Sequence, residues 1–520
     1  MASTAAPQTG AKTLKIEQVD TLEGKLRVAV EGCCHGELDK IYKTIASIEE
    51  AKKYKIDLLL ICGDFQACRN QADLATIAVP QKFKAMHDFY KYHQGDKKAP
   101  LLTIFIGGNH EASNYLFELF HGGWAAPNIY FLGYAGVVNY RGLRIGGVSG
   151  IYKENHYKLG HYEKPPYDSG TMRSTYHTRE IEIFKMMNIR TPLSIVLTHD
   201  WPRDIHSHGD AVRLVRQKKF FAEEVKTKTL GSPPYERLLN AYWFCGHLHV
   251  KFAALVKHTT FQGAEAGIAL VGSGFASTRF LALDKCLPGR DFLQVVTIDS
   301  TVSLQESLNQ DPPEVKETSA TTTTKEKEGA TENDDASEHK LMYDEEWLAI
   351  VRLSHPYLSW ERATPPLPAT RFSDEALNKE REVVRTMMPD LTIPDNFQAI
   401  VPAYNSCTPD RGEQGPMLVN PQNTAFVSAL GLDKIERIAP TRHAERPMAA
   451  PVKIATPPPN PNAIDLGDSD DEEEASGATE NGEKIERAVV EAEVKMETDR
   501  KVEDNEVIGE ETEESLKPEE

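Results

Sequence analysis

The chain of 520 residues is 40% hydrophobic, enough to bury one or two cores, and carries a formal net charge of −19. Spread evenly, that charge would argue against a nucleic-acid partner, but residues 451–520 hold 23 Asp/Glu against 7 Lys/Arg, a local net of −16 that leaves −3 for everything before them. The 7 cysteines form no CxxC pair, the N-terminus lacks the apolar core of a signal peptide, and no apolar run approaches the ~20 residues of a membrane span, so the sequence reads as a soluble, reduced protein with no membrane contact.

Residues 1–25 read as a polar leader. From Leu26 the chain repeats one pattern: a short apolar run, a sharp polar turn, a helical stretch. LRVAVEG leads through CCHG into LDKIYKTIASIEEAKKY, where Ile41, Ile45 and Ile48 recur at helical spacing. IDLLLICGDF leads to a loop and the helix-like QKFKAMHDFYKYH; APLLTIFIGGNHEA leads to SNYLFELF. Runs this short read as buried strands, and their alternation with helices predicts an α/β sheet. VVNYRGLRIGGVSGIY predicts a hairpin turning at Arg141-Gly142. Residues 152–178, with five Tyr among His, Lys and Arg, read as a long surface loop of the kind that carries function. From Asn309 to Lys340 the composition turns to Thr, Glu, Lys and Asp and cannot bury a core. Hydrophobicity returns at YDEEWLAIVRL as a smaller second module, expected to pack on or extend the first, and the chain ends in an acidic, Pro-rich tail that reads as disordered.

The polar residues cluster where the predicted strands end, the edge on which open α/β sheets bind ligands. They are Cys33 and His35, Asp64, Asn109 with His110, His199, and the pair His247 and His249. Singly, each has a plain reading as a turn, a helix cap, a strand pair sharing one face, or a small core thiol. Jointly, imidazoles, a carboxylate, an amide oxygen and a thiolate at five independent strand ends make two adjacent transition-metal sites, with the two oxygens of Asp64 able to bridge them. Two metals ~3.5–4 Å apart clamp the attacking and leaving oxygens of an in-line displacement at phosphorus and acidify a shared water. No P-loop, nucleophile elbow or GxGxxG turn competes with this reading.

The ordered set CxH, GD, GNHE, a lone His and GHxH resembles the calcineurin-like metallophosphoesterase superfamily. That superfamily normally has Asp where this chain has Cys33, and its phosphoprotein phosphatases continue the second motif differently from GDFQACRN. Cys in the first motif, together with GCCHGELDKIY, GGNHEASNYL, SGIYK, THDWP, GHLHVKFAALVKH and FLALDKCLPGRDFLQV, resembles the RNA lariat debranching enzymes. The likeness covers nearly all of residues 26–300 and resumes from YDEEWLAI to NPQNTAFVSALGL. It implies a metallophosphoesterase β-sandwich flanked by helices (four-layer αββα) over 26–305, a disordered linker over 306–340, a smaller C-terminal domain over 341–440 and a disordered acidic tail over 441–520.

By the same resemblance, Cys33, His35, Asp64 and His249 would hold one metal, and Asp64, Asn109, His199 and His247 the other. His110 would be a non-ligand imidazole acting as general acid, and Glu111 would either orient it or serve as a structural hydrogen-bond partner. A thiolate ligand favours Zn²⁺ or Fe²⁺ over Mg²⁺ and tolerates Mn²⁺; Cys34 reads as plain packing. The implied substrate is branched intron lariat RNA, opened at its 2′-5′ phosphodiester to give linear RNA for turnover. Tyr152, Tyr157 and Tyr162 would stack on that RNA from a lid, unless they pack only on the protein. His156, His161 and His177 read as solvent-facing, and the tail as a place for protein contacts. A lariat substrate implies nuclear residence, with room for shuttling to the cytoplasm. Two rival functions are a metallophosphoesterase acting on phosphoproteins or small phosphodiesters, and a non-catalytic scaffold.

Overall fold

A computed structural model describes residues 24–238, 241–258, 277–299, 340–406 and 412–432. The expected leader up to residue 23, the linker up to residue 339 and the acidic tail lie outside the described residues. The strands are β1 (Lys25–Glu31), β2 (Leu58–Ile61), β3 (Thr103–Phe105), β4 (Gly123–Ala126), β5 (Ile129–Phe131), β6 (Ala135–Tyr140), β7 (Leu143–Val148), β8 (Ile195–Thr198), β9 (Tyr242–Cys245), β10 (Phe252–Lys257), β11 (Ser277–Ala282), β12 (Leu293–Asp299) and β13 (Leu341–Tyr343). They form a six-stranded sheet in the order β12-β1-β2-β3-β5-β4 and a seven-stranded sheet in the order β10-β11-β9-β8-β7-β6-β13.

The two-residue alternation of strand side chains builds the layers. Val28, Val30, Leu58, Leu60 and Ile104 of the first sheet face Ile145, Ile195, Leu197 and Phe244 of the second. Their neighbours Ala29, Leu59 and Ile61 turn outward onto Leu38, Ile41, Ile45 and Ile48, the apolar stripe of the helix Leu38–Lys52. On the far side, Val137, Val148, Val196 and Trp243 meet Ile183, Met186, Trp347 and Ile350 of the helices Glu180–Met187 and Glu345–Ser354. Each such buried aliphatic side chain contributes about 1.5–3 kcal/mol. The result is the expected helix–sheet–sheet–helix sandwich.

In both sheets the central strands run parallel: β1 with β2, β2 with β3, β7 with β8 and β8 with β9. Their carboxyl ends therefore open at one end of the sandwich, and the loops that carry the site leave from there.

The Arg141-Gly142 hairpin is present between β6 and β7, with both turn residues at positive φ (46° and 82°), as a tight two-residue turn requires. Residues 81–93 are not one helix: a single turn at Gln81–Phe83 and a short helix Phe89–His93 are separated by His87, whose φ of 46° is incompatible with continuing either. The 152–178 segment is not an open loop either. It contains the helices Glu154–Tyr157 and Ser169–Ser174 and a buried polar knot in which Arg179 donates to Glu163 (2.5 Å) and His161 contacts Glu182 (3.0 Å). His161 and His177 are buried there, not solvent-facing.

The second module extends the first. Its β13 adds antiparallel to β6 as the edge of the second sheet. Asp344, which caps the helix Glu345–Ser354, takes a two-pronged ion pair from Arg144 of β7 (2.8 and 2.8 Å). Gln422 pairs with both the N–H and the carbonyl of Trp124 in β4, anchoring the opposite end.

Candidate metal centre

The strand ends converge. Cys33 follows β1, Asp64 follows β2, Asn109 follows β3, His199 follows β8, and His247 and His249 follow β9. Ligand-capable atoms of Cys33, His35, Asp64 and His249 all lie within 4.8 Å of one another. The Nε2 atoms of His35 and His249 are 3.4 Å apart, and His35 Nε2 is 3.7 Å from Asp64 Oδ2. The other carboxylate oxygen looks the opposite way: Asp64 Oδ1 is 3.3 Å from His199 Nε2, which is itself 3.1 Å from Asn109 Oδ1. The His247 ring stands 5.0 Å from the His199 ring. The two quartets read from the sequence are thus adjacent groupings that share Asp64.

The backbone is bent to achieve this. His35, Asp64, His247 and His249 all sit at positive φ (46°, 49°, 66° and 47°), a conformation uncommon outside glycine and concentrated at functional sites. Two glycines make the approach possible. A Cβ on Gly63 would lie 2.3 Å from His199 Nδ1, and one on Gly108 would lie 2.2 Å from Asp64 Oδ1.

Hydrogen bonds fix the orientations. His199 Nδ1 donates to the Cys62 carbonyl at 2.7 Å, which turns Nε2 toward the Asp64 and Asn109 oxygens in the site. The His247 N–H donates to Cys33 Sγ at 3.0 Å, and the His110 N–H to Asp64 Oδ1 at 2.8 Å. Glu111 does not touch the His110 ring. Its carboxylate accepts the N–H groups of Phe65, Gln66 and Gly108 at 2.8, 2.9 and 2.8 Å, so the structural reading of that residue holds and it ties the second motif to the third.

The electrostatics suit a cation. Burial, with Asp64 and Glu31 close by, pushes the Cys33 thiol well above its usual range. Burial also drives His35 down to about 4 and His249 to about 2, so both imidazoles are neutral and present lone pairs. Against its own burial, Asp64 is held well below the usual carboxylate range by His199 and His110. Asp64 Oδ2 is buried without a hydrogen-bond partner, and so are both oxygens of Glu31 beneath the site. Converging lone pairs, an orphaned buried carboxylate oxygen and a thiol that only a cation would ionise fit divalent transition metals and fit little else.

A cleft of about 390 Å³ opens onto the cluster and is lined by His35, His110, His247 and His249 at its base. The His110 ring stands 5.3 Å from the His35 ring on that wall. Tyr152, Tyr157 and Tyr162 do not line the cleft. The rings of Tyr152 and Tyr157 pack on each other at 5.4 Å, and Arg362 covers Tyr162 at 5.3 Å. Cys34 is buried in the core outside the first sheet, as plain packing. Sequence reasoning missed Gln66, whose side-chain amide meets His35 Nδ1 at 3.3 Å, and the buried Glu31; the strained φ of 58° at Gln66 marks it only once the fold is in hand.

Comparison with known proteins gives one consistent result. A family profile described as calcineurin-like phosphoesterase matches residues 26–251, and one described as the lariat debranching enzyme C-terminal domain matches residues 276–435. The latter begins at residue 276, before the expected boundary at 341, and takes in β11 and β12, one strand of each sheet. Among curated proteins, lariat debranching enzyme A of Xenopus laevis is 45% identical over 417 residues, 78% of this chain and 70% of the relative. The lariat debranching enzyme of Homo sapiens is likewise 45% identical over 417 residues (78% and 69%), and that of Arabidopsis thaliana is 42% identical over 412 residues (78% and 86%).

Proposed function

The chain belongs to the lariat debranching enzymes, and from that premise we propose that it is a metal-dependent phosphodiesterase that hydrolyses the 2′-5′ linkage at the branch point of excised intron lariats, releasing linear RNA for turnover. The observation that carries this reading is the shared Asp64 between two groups of lone-pair donors at the base of a cleft wide enough for a nucleotide. Cys33, His35, Asp64 and His249 would hold one divalent cation, and Asp64, Asn109, His199 and His247 a second. With a thiolate in the set, the preferred ions are Zn²⁺, Fe²⁺ or Mn²⁺. Bound there, such ions supply Lewis-acid stabilisation of the charge that develops at phosphorus.

The protein's own groups do the rest. His110 is held by its backbone bond to Asp64 but keeps its ring on the cleft wall, where it protonates the departing 2′ oxygen. Glu111 clamps the two loops that present Asp64 and Asn109, so the donors are positioned before substrate arrives. The acidic tail, with its net charge of −16, serves protein contacts and stays off the RNA. Work on a lariat places the protein in the nucleus, where splicing generates that substrate, with passage to the cytoplasm open to it.

The test is hydrolysis of a synthetic 2′-5′ branched RNA by the purified protein, with metal analysis of the same sample and a linear phosphomonoester alongside. Selective opening of the branch supports the reading. Equal activity on the phosphomonoester would return it to the wider metallophosphoesterases, and full biological activity of a metal-free preparation would point to a scaffold.

A further inference from the structure

Beside the histidines the cleft wall is mixed, with Phe83, Phe220 and Leu287 standing among Glu37, Gln66 and Lys285. Large hydrophobic side chains that remain exposed are few in the described residues, and three of them stand on this rim: Phe83 (38% exposed), Phe220 (60%) and Leu287 (38%). The two phenylalanines share a local design. Each lies in a single 3₁₀ turn, Gln81–Phe83 and Lys219–Phe221, directly after a lysine. The Lys82 ammonium is 4.6 Å from the Phe83 ring, and that of Lys218 is 5.7 Å from the Phe220 ring. The turns come from opposite halves of the sandwich. Val79 and Met86, flanking Phe83, pack on the core outside the first sheet, and Phe221, beside Phe220, belongs to the core outside the second. Glu37, an acid on the same wall, is paired with Lys40 at 3.0 Å.

We infer that Phe83 and Phe220 are two nucleobase platforms, one on each side of the metal centre, which stack the bases flanking the scissile linkage while Lys82, Lys218 and Lys219 attract the adjoining phosphates. The inference rests on the debranching reading of the same site. A phosphodiester seated over the cluster has a nucleoside on either side, so its recognition calls for two planar contacts straddling the phosphate, one from each half of the fold. Every base offers a π face, so such contacts hold RNA without demanding a sequence, and lysines beside them add the electrostatic share. A ring left 60% exposed in a short turn loses apolar burial in the free protein and recovers it when a base lands on it. Phe220 meets the Phe221 ring edge-on at 4.4 Å, which steadies it on the rim, whereas Tyr152, Tyr157 and Tyr162 do not line the cleft.

The experiment measures kcat and KM of the full-length, metal-loaded protein on 2′-5′ branched RNA for Phe83→Ala, Phe220→Ala, the double variant, and Phe→Trp at each position. A stacked base is worth enough binding that each alanine should raise KM about tenfold or more, with kcat held within about twofold, and the double variant should multiply the two effects. Tryptophan should restore KM. Val212→Ala and Leu255→Ala, at exposed apolar positions that do not line the cleft, should leave it unchanged. A branched RNA made abasic on one side of the linkage provides the decisive arm: one phenylalanine substitution should then cost nothing further, while the other keeps its full effect. If wild-type protein opens the branch but neither alanine moves KM by threefold, or if the abasic substrate leaves both effects intact, the platform inference is overturned and the debranching reading survives. If wild-type protein does not open the branch at all, the debranching reading fails first and the platforms fail with it.

Discussion

Replacing Glu111 tests whether the site is built before any metal or RNA binds. The Glu111 side chain is buried, and its two oxygens satisfy three backbone donors: Phe65 and Gly108 on one, Gln66 on the other. Glu111→Ala orphans all three. A buried unsatisfied donor costs about 1–3 kcal/mol, and water entering the vacated space recovers part of that, so the low end applies and the sum is about 3–5 kcal/mol. Burial and the nearby Asp64 push the Glu111 carboxyl up to about 8, so its loss also removes a group that is uncomfortable when ionised, which again favours the low end. Glu111→Gln keeps an oxygen for two donors but turns an NH₂ toward the third, and should cost about 1–2 kcal/mol. Thermal unfolding in the presence of a chelator reads the difference free of metal linkage, with the alanine midpoint falling by the order of 10 °C and the glutamine midpoint by a few degrees. If alanine lies within about 1 kcal/mol of wild type, or if glutamine is as damaging as alanine, the three bonds are not what holds the loops.

Four further outcomes are expected. Cys33→Ser should lose bound transition metal and shift preference toward harder ions, measured by elemental analysis, whereas Cys34→Ser should change neither; unchanged metal content in Cys33→Ser would remove the thiolate from the site. Burial alone would raise Asp344, but Arg144 holds it below the usual carboxylate value, so the stability it contributes is present above about pH 4 and is lost as pH falls through the lowered value. Asp344→Asn should therefore be less stable than wild type at neutral pH, with the two melting curves converging in acid; a gap that does not narrow as the pH is taken down past the usual carboxylate value would refute this linkage. His110→Ala should retain metal and bind branched RNA, yet turn over about 10²–10⁴-fold more slowly, and lose much less on a diester whose nitrophenolate leaving group needs no proton. Truncation after about residue 445 should leave debranching intact or slightly faster at low salt, because the tail's charge of −16 repels RNA; a large loss of turnover in a folded truncation would contradict that.

The candidate ligands were legible because each stands immediately after a short apolar run, and parallel strands carry such positions to one edge. The Arg141-Gly142 turn was legible because a tight hairpin accepts few residue types. What escaped were features settled by contacts distant in sequence. His87 breaks the helical pattern of 81–93 where it packs against Gly36, a neighbour that no local window contains. The Tyr-rich segment looks like an open loop because its polar groups seem unpaired, yet Glu163 pairs with Arg179 and His161 with Glu182, both just beyond the segment. The Lys-Phe pairs at 82–83 and 219–220 resemble ordinary surface until the fold brings both rings to one cleft. Glu111 is adjacent to the proposed proton donor in sequence, but its bonds run to the backbone 46 and 45 residues away.

The pairing of β13 with β6 separates possession of the chemistry from possession of a finished fold. A ribosome has delivered every candidate ligand once His249 emerges, yet at that moment β6 is an edge whose outer hydrogen-bonding groups lack their partner strand. The strand that covers them arrives with Leu341–Tyr343, and the Arg144 guanidinium likewise waits for Asp344. A fragment ending at Asp299 would therefore hold the whole motif set and still behave as an aggregation-prone half-product, seeking from another chain the strand that its own C-terminal module would have supplied.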